Sequence, residues 1–201
     1  METSQTRSRR PYRMGARAEA AAATGERILD AATALFWEQP GAEVSLDRVA
    51  RRAGVSVRTV IRRFGTREGL MAAASRREIE RVQRQRDEAP VGDLRGAVRV
   101  LLDHYEELGE RALLLLAEEQ RGPELRAIVD QGRSLHVAWC EGVFAPTLTR
   151  LSGTLRDRRL AQFVAVCDVY TWKVLRRDRM LSRRQTERAL VELLEPLTQE
   201  T

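Results

Sequence analysis

The apolar positions of this chain recur at helical spacing almost from end to end. Ile28, Leu29, Ala32, Leu35 and Phe36 form one stripe, on a helix that opens at the capping residue Thr24 and closes at Gln39-Pro40-Gly41. Leu46, Val49, Ala50 and Ala53 follow behind a second cap, Ser45, and Gly54 stands where a helix end needs a left-handed residue. Ser56 caps a short helix, Val57 to Phe64, with Val60 and Phe64 inward. Thr66 opens a longer one to about Glu88, with Leu70, Met71, Ala74, Ile79 and Val82 as a thin stripe and Pro90 and Gly92 as its end. Beyond Asp93 the same period continues through Val98, Leu101, Leu102, Tyr105 and Leu108, then the apolar block Ala112 to Ala117. A further helix after Pro123 carries Leu125, Ile128, Val129, Leu135, Trp139, Val143 and Phe144, with Pro146 closing or kinking it. Leu160 to Leu175 is apolar on most faces and reads as one helix. The last, Arg183 to Thr198, turns Thr186, Ala189, Leu190, Leu193, Leu194 and Leu197 inward and is bent near its end by Pro196.

No segment alternates at the period of a strand, so the expected fold class is all-α. An N-terminal three-helix helix-turn-helix domain over residues 24–70 precedes a C-terminal helical bundle over 71–201. Residues 1–23, rich in arginine and interrupted by Pro11 and Gly15, read as a basic disordered arm. Beside a helix-turn-helix such an arm suits the minor groove or the phosphates.

Charge changes the picture at one place. Residues 45–67 hold seven arginines and one acid, Asp47, for a net +6; the whole chain is also +6, so all the rest sums to zero. Two short capped helices around a tight turn, with that charge, are the build of a helix-turn-helix with a basic recognition helix, and double-stranded DNA is the expected partner. The candidate contact residues are Ser45, Arg48, Ser56, Val57, Arg58, Thr59, Ile61, Arg62, Arg63 and Arg67.

The segments AATALF (Ala31–Phe36), SLDRVARRAGVS (Ser45–Ser56) and Thr59, Val60, Phe64 and Leu70 keep the order and spacing of the N-terminal domain of the tetracycline-repressor (TetR) family of transcriptional regulators, which this region resembles. Arg58 stands where small residues are common there, Ile61 replaces a frequent tyrosine, Arg63 a histidine and Arg67 a lysine. Ile61 thereby exchanges a polar contact for an apolar touch on a thymine methyl. The resemblance implies a homodimer on a pseudo-palindromic operator, a repressor in its action, and a body whose pocket takes a small apolar effector. It also implies a mechanical role for the helix from Thr66 to about Glu88, whose tilt changes the separation of two recognition helices.

The body holds no catalytic constellation, and the chain is read as no enzyme. Of the two histidines, His104 and His136, neither has a nucleophile or phosphate loop beside it, and the His104–Glu107 spacing is too weak a signal for a metal. No cofactor is expected. Cys140 and Cys167 lie in apolar helical patterns and read as buried, reduced thiols of a cytoplasmic protein, and no apolar run is long enough to span a bilayer. Large side chains with polar tips are plentiful, and Tyr105, His136, Trp139, Phe144, Phe163 and Tyr170 are the candidate ligand-binding residues. Residues 157–177 and 183–198 carry more apolar surface than one core needs and are expected to pair across a two-fold axis as a four-helix bundle. The alternative is a DNA-binding regulator controlled by a protein partner, or by no effector, whose body is only a dimer scaffold.

Overall fold

The computed structural model describes residues 10–38 and 43–199, and every regular element among them is helical. The chain divides into two compact units between Arg77 and Glu78.

The first unit contains α1 (Arg10–Glu38), α2 (Leu46–Ala53), α3 (Val57–Phe64) and the start of α4 (Arg67–Arg86). Its core is Ile28, Leu35, Val49, Val60 and Leu70, all 5% exposed or less, with Ala32, Ala50 and Ala74 between them. Each large side chain withdrawn from water there contributes about 1.5–3 kcal/mol. Arg77 of α4 bridges Glu26 at 3.0 Å and Asp30 at 2.9 Å, fastening α4 to α1 inside this unit.

Helix α1 starts earlier than the periodicity suggests. Residues 10–23 belong to it rather than to a disordered arm, and residues 1–9 lie outside the described residues, as does the expected stop at Gln39-Pro40-Gly41. Pro11 falls in the first turn, where its missing N–H costs nothing, and the alanine run Ala20–Ala23 is strong helix former. Thr24 is therefore no cap: its hydroxyl donates back to the Ala20 carbonyl at 2.8 Å, in mid-helix.

The second unit contains the end of α4, then α5 (Leu94–Glu118), α6 (Pro123–Val143), α7 (Ala145–Leu148), α8 (Gly153–Val166), α9 (Val169–Lys173) and α10 (Arg183–Thr198). Its core gathers Leu101, Leu102, Tyr105, Trp139, Phe144, Phe163, Trp172, Leu190 and Leu194. At Gly109 a Cβ would stand 2.6 Å from the Trp172 ring, so only glycine lets α5 approach α9 this closely. The expected single helix over Leu160–Leu175 is two. Asp168 takes an extended conformation and its carboxylate accepts the Tyr170 N–H at 2.8 Å, capping a new helix. Thr171 Oγ1 donates to the Ala165 carbonyl at 2.7 Å across the break.

The final helix departs from expectation in one respect. Leu190 and Leu194 are 1% and 0% exposed in the unit's own core, whereas Leu193 turns outward at 49%. Among the described residues Tyr170, Val174 and Leu155 are also exposed large apolar side chains. Cys140 and Cys167 are buried and form no disulfide. No described helix is long and apolar enough to cross a membrane.

Candidate nucleic-acid interface

Three local devices fix the turn between α2 and α3. Ser45 Oγ accepts the Arg48 N–H at 3.3 Å, satisfying an orphan amide at the start of α2. Gly54 ends α2 at φ 66°, a left-handed conformation that a Cβ would strain. The Val55 N–H then donates to the Ala50 carbonyl at 3.0 Å, and Ser56 Oγ accepts the Thr59 N–H at 3.2 Å to start α3. The Ser56 and Thr59 hydroxyls are themselves 2.9 Å apart, so Thr59 is held by its own cap.

With Val60 buried and Phe64 half-buried, α3 turns Arg58, Ile61, Arg62 and Arg63 to solvent. Ile61 is 48% exposed, an apolar side chain left on a basic face. Among the described residues no carboxylate pairs with Arg58, Arg62 or Arg63. Val57, a candidate contact in the sequence, instead packs against the core.

Two other candidate arginines are committed inside the unit. Arg67 Nε donates to the Val44 carbonyl at 3.3 Å, and its guanidinium lies 3.7 Å from Glu43 and 3.5 Å from Glu68. Arg48 lies 3.6 Å from Glu38, which also pairs with Arg52. Arg67 thereby ties α4 to the segment before α2.

A cleft of about 430 Å³ opens beside α3, lined by Ala21 and Thr24 of α1 and by Thr59, Arg62 and Arg63. The Arg63 guanidinium lies in a notch at Gly25, where a Cβ would collide with it. Periodicity did not single out Thr24 or Gly25 for this site; a glycine inside an alanine-rich helix was the available signal. Gly25→Ala should raise stability by about 0.5–1 kcal/mol through helix propensity, because the displaced group is a flexible side-chain end. It should also weaken DNA binding up to about tenfold, because Arg63 loses its seat. Parallel urea titration and DNA anisotropy check both signs; a loss of stability would mean that the notch packs the fold rather than seating Arg63.

The six candidate ligand residues occupy the second unit, and most of them fill it. Phe144 and Phe163 stack with centroids 4.0 Å apart, and both are buried. Tyr105 donates its hydroxyl to the Cys167 carbonyl at 2.9 Å, and Trp139 donates Nε1–H to the Arg86 carbonyl at 3.0 Å. His136 is buried between Arg86 and the Val164 carbonyl, at 3.1 Å from each. Tyr170 is apart from this group, 53% exposed on α9. A cleft of about 260 Å³ in this unit reaches Phe144 and is otherwise lined by Gly92, Leu94, Val143, Pro146, Thr147, Arg150 and Thr198.

His104, buried on α5, donates Nδ1–H to Gln85 Oε1 at 3.2 Å. Burial, then the nearby charges of Arg86 and Arg81, push its imidazole down to about 3 from 6.5. Folding therefore requires the neutral ring. As pH falls below 6.5 the unfolded chain takes up a proton that the folded chain refuses, and stability drops by about 1.4 kcal/mol per unit. Unfolding free energies from urea titration at pH 6.5 and pH 5 should differ by about 2 kcal/mol more in the parent than in His104→Gln. Equal slopes in the two proteins would contradict this placement of His104.

The class defined by this geometry is a helix-turn-helix protein with a separate all-helical body. Residues 28–74 match the family model of bacterial regulatory proteins, tetR family, and this N-terminal segment belongs to that family. HTH-type transcriptional regulators from two strains of Mycobacterium tuberculosis are 41% identical over 60 residues, and the match spans 30% of this chain and 30% of theirs. The fold extends further than the sequence likeness. A transcriptional regulator from Rhodococcus sp. Rha1 superposes with a TM-score of 0.60 at 20% identity, covering 86% of this chain and 95% of that one. The transcriptional regulator FadR from Bacillus subtilis, in complex with stearoyl-CoA, gives 0.54 at 17% identity over 86% and 97%.

Proposed function

We infer that the chain is a transcriptional regulator that binds duplex DNA as a homodimer on a pseudo-palindromic operator, represses from there and is released by a small molecule. One observation carries the DNA-binding reading: α3 is capped at its start, anchored by buried Val60, and presents Arg58, Arg62 and Arg63 unpaired beside exposed Ile61. Such a helix offers guanidinium forks to guanine edges and phosphates and an apolar surface to a thymine methyl. The family match over residues 28–74 supports the same reading. One head covers too little DNA for tight specific binding, which favours two heads on two half-sites. The exposed apolar side chains of α8, α9 and α10 supply a surface for pairing.

The effector must prefer the conformation whose recognition helices are misplaced for successive major grooves, since only differential affinity shifts an equilibrium. About 1–3 kcal/mol of such coupling changes DNA affinity roughly 5- to 150-fold. Helix α4 contributes residues to both units and is the covalent route for that coupling. The stearoyl-CoA bound by the Bacillus subtilis protein supports an effector in a body of this fold.

A second reading, in which the body is only a dimer scaffold, is favoured by the closed aromatic packing of Tyr105, Trp139, Phe144 and Phe163. The test that bears on both is selection from a pool of random duplexes, followed by displacement of the selected DNA with small molecules. Enrichment of inverted repeats supports the regulator, and displacement separates the effector reading from the scaffold. A pool that stays random after selection would overturn the DNA-binding reading.

A further inference from the structure

The body buries a cation, Arg86, away from any carboxylate partner among the described residues. Arg86, in the last turn of α4, is 7% exposed. Its Nη2–H donates to His136 Nδ1 at 3.1 Å, and because His136 Nε2–H donates to the Val164 carbonyl, that acceptor is a neutral ring nitrogen. The guanidinium lies over the Trp139 ring, 4.4 Å from its centroid, and Arg86 Nε is buried without a hydrogen-bond partner. Among the described residues no carboxylate pairs with Arg86. The acid bound by its sequence neighbour is already used: Glu107 takes Arg81 Nη1 at 2.5 Å and Gln85 Nε2 at 3.2 Å. Gln85 in turn accepts from His104, closing that network on a neutral imidazole.

A guanidinium does not shed its proton to relieve burial, as a lysine or histidine can. A cation–π contact and one neutral hydrogen bond offset only part of the lost hydration, and a buried charge without its partner is strongly destabilising. Trp139 and Cys140 belong to the buried core of this unit, Val164 packs against it, and Cys140 Sγ lies 4.0 Å from His136 Nε2.

We propose that Arg86 anchors an anion site in the body, and that the effector inferred above carries a carboxylate, or a comparable single negative group, on an apolar frame. The proposal rests on the effector reading for its biological meaning but not for its chemistry. An anion takes the free Nε–H together with a second guanidinium N–H as a fork, and the apolar frame lies against Trp139. The ligand thereby acts on the last turn of the helix whose first half belongs to the DNA-binding unit.

The test uses the full chain with octanoate and, as its uncharged counterpart, octanamide. Octanoate should raise the Tm saturably, with octanamide binding at least about tenfold more weakly. Arg86→Met should raise the Tm of the ligand-free protein, because it removes an uncompensated buried charge, and should abolish the preference for octanoate. Arg86→Lys keeps the charge without the fork and should bind octanoate more weakly than the parent; it serves where the methionine variant does not fold. Equal binding of the two compounds, binding of neither, or an octanoate preference that survives Arg86→Met would overturn the proposal. A lower Tm in folded, ligand-free Arg86→Met would also overturn it, by showing that the chain itself compensates the charge. Octanoate bound at Arg86 without any change in DNA affinity would leave the site standing and sink the effector switch. Displacement of DNA by neutral compounds, unaffected by Arg86→Met, would do the reverse.

Discussion

Replacing Arg58 and Arg62 together with alanine should lower affinity for the selected operator by roughly 30- to 20,000-fold, two contacts of about 1–3 kcal/mol each. The expectation follows from what these side chains lack. Both are exposed, neither has a carboxylate partner among the described residues, and both stand on a helix that Ser56 and Val60 hold in place without them. Removing them therefore costs the fold little while taking two guanidinium forks from the DNA. The double variant should also show a shallower dependence of affinity on salt, since fewer counterions are released. Arg67→Ala should behave differently. Its guanidinium is tied to the Val44 carbonyl and to Glu43 and Glu68, so its loss should appear in thermal stability more than in the salt slope. Anisotropy titrations at several salt concentrations, with circular dichroism as the control for folding, check all three proteins. A double variant that keeps affinity within about twofold of the parent would remove α3 from the interface.

The second large effect separates neighbours on α10. Leu190→Arg should strongly destabilise the body, because a site 1% exposed would have to hold an unpaired charge, a loss of about 3–5 kcal/mol out of a typical total of about 5–15. Leu193→Arg, three residues on, enters a side chain position that is 49% exposed and should change the stability of the single chain by no more than about 0.5 kcal/mol. If α10 contributes to the dimer contact, a two-fold axis brings two such arginines toward each other, and sedimentation should show a folded monomer. A folded Leu193→Arg dimer would move the contact away from this face. A Leu190→Arg protein with an unchanged urea midpoint would contradict the core described for this unit.

Much of the first unit was legible in the sequence because its signals are local. Ser45, Gly54 and Ser56 act through amides within a few residues of themselves, and Val49 and Val60 lie on stripes whose period is the helix's own. The errors came where a distant group decides. Arg67 reads as a free cation until Val44 and Glu43 are folded beside it. Thr24 reads as a cap because it precedes an apolar stripe, yet the alanines before it carry the helix back to Arg10. In the body, the run from Leu160 to Leu175 is apolar throughout and hides the break at Asp168, where one carboxylate on one amide ends a helix that periodicity continues. Leu193 carries the same apolar label as Leu190 and Leu194, so composition alone could not say which of them faces solvent. The aromatic candidates suffered in the same way. Apolar area with a polar tip describes a pocket wall and a satisfied core equally well, and for Tyr105 and Trp139 the tips are bonded inside the core. Arg86 does not stand out in the sequence, because its lack of a carboxylate partner among the described residues is decided by the fold and no spacing along the chain reveals it.

The central claim is that two copies of α3 read two half-sites of one duplex. Footprinting of the selected operator, with the protein-to-DNA ratio measured by sedimentation, tests it most directly. Two symmetric protected half-sites centred on successive major grooves, two chains per duplex, and loss of both protections together in Arg58→Ala/Arg62→Ala are expected. Protection that spreads along the duplex without boundaries, or a single protected site bound by one chain, would contradict it.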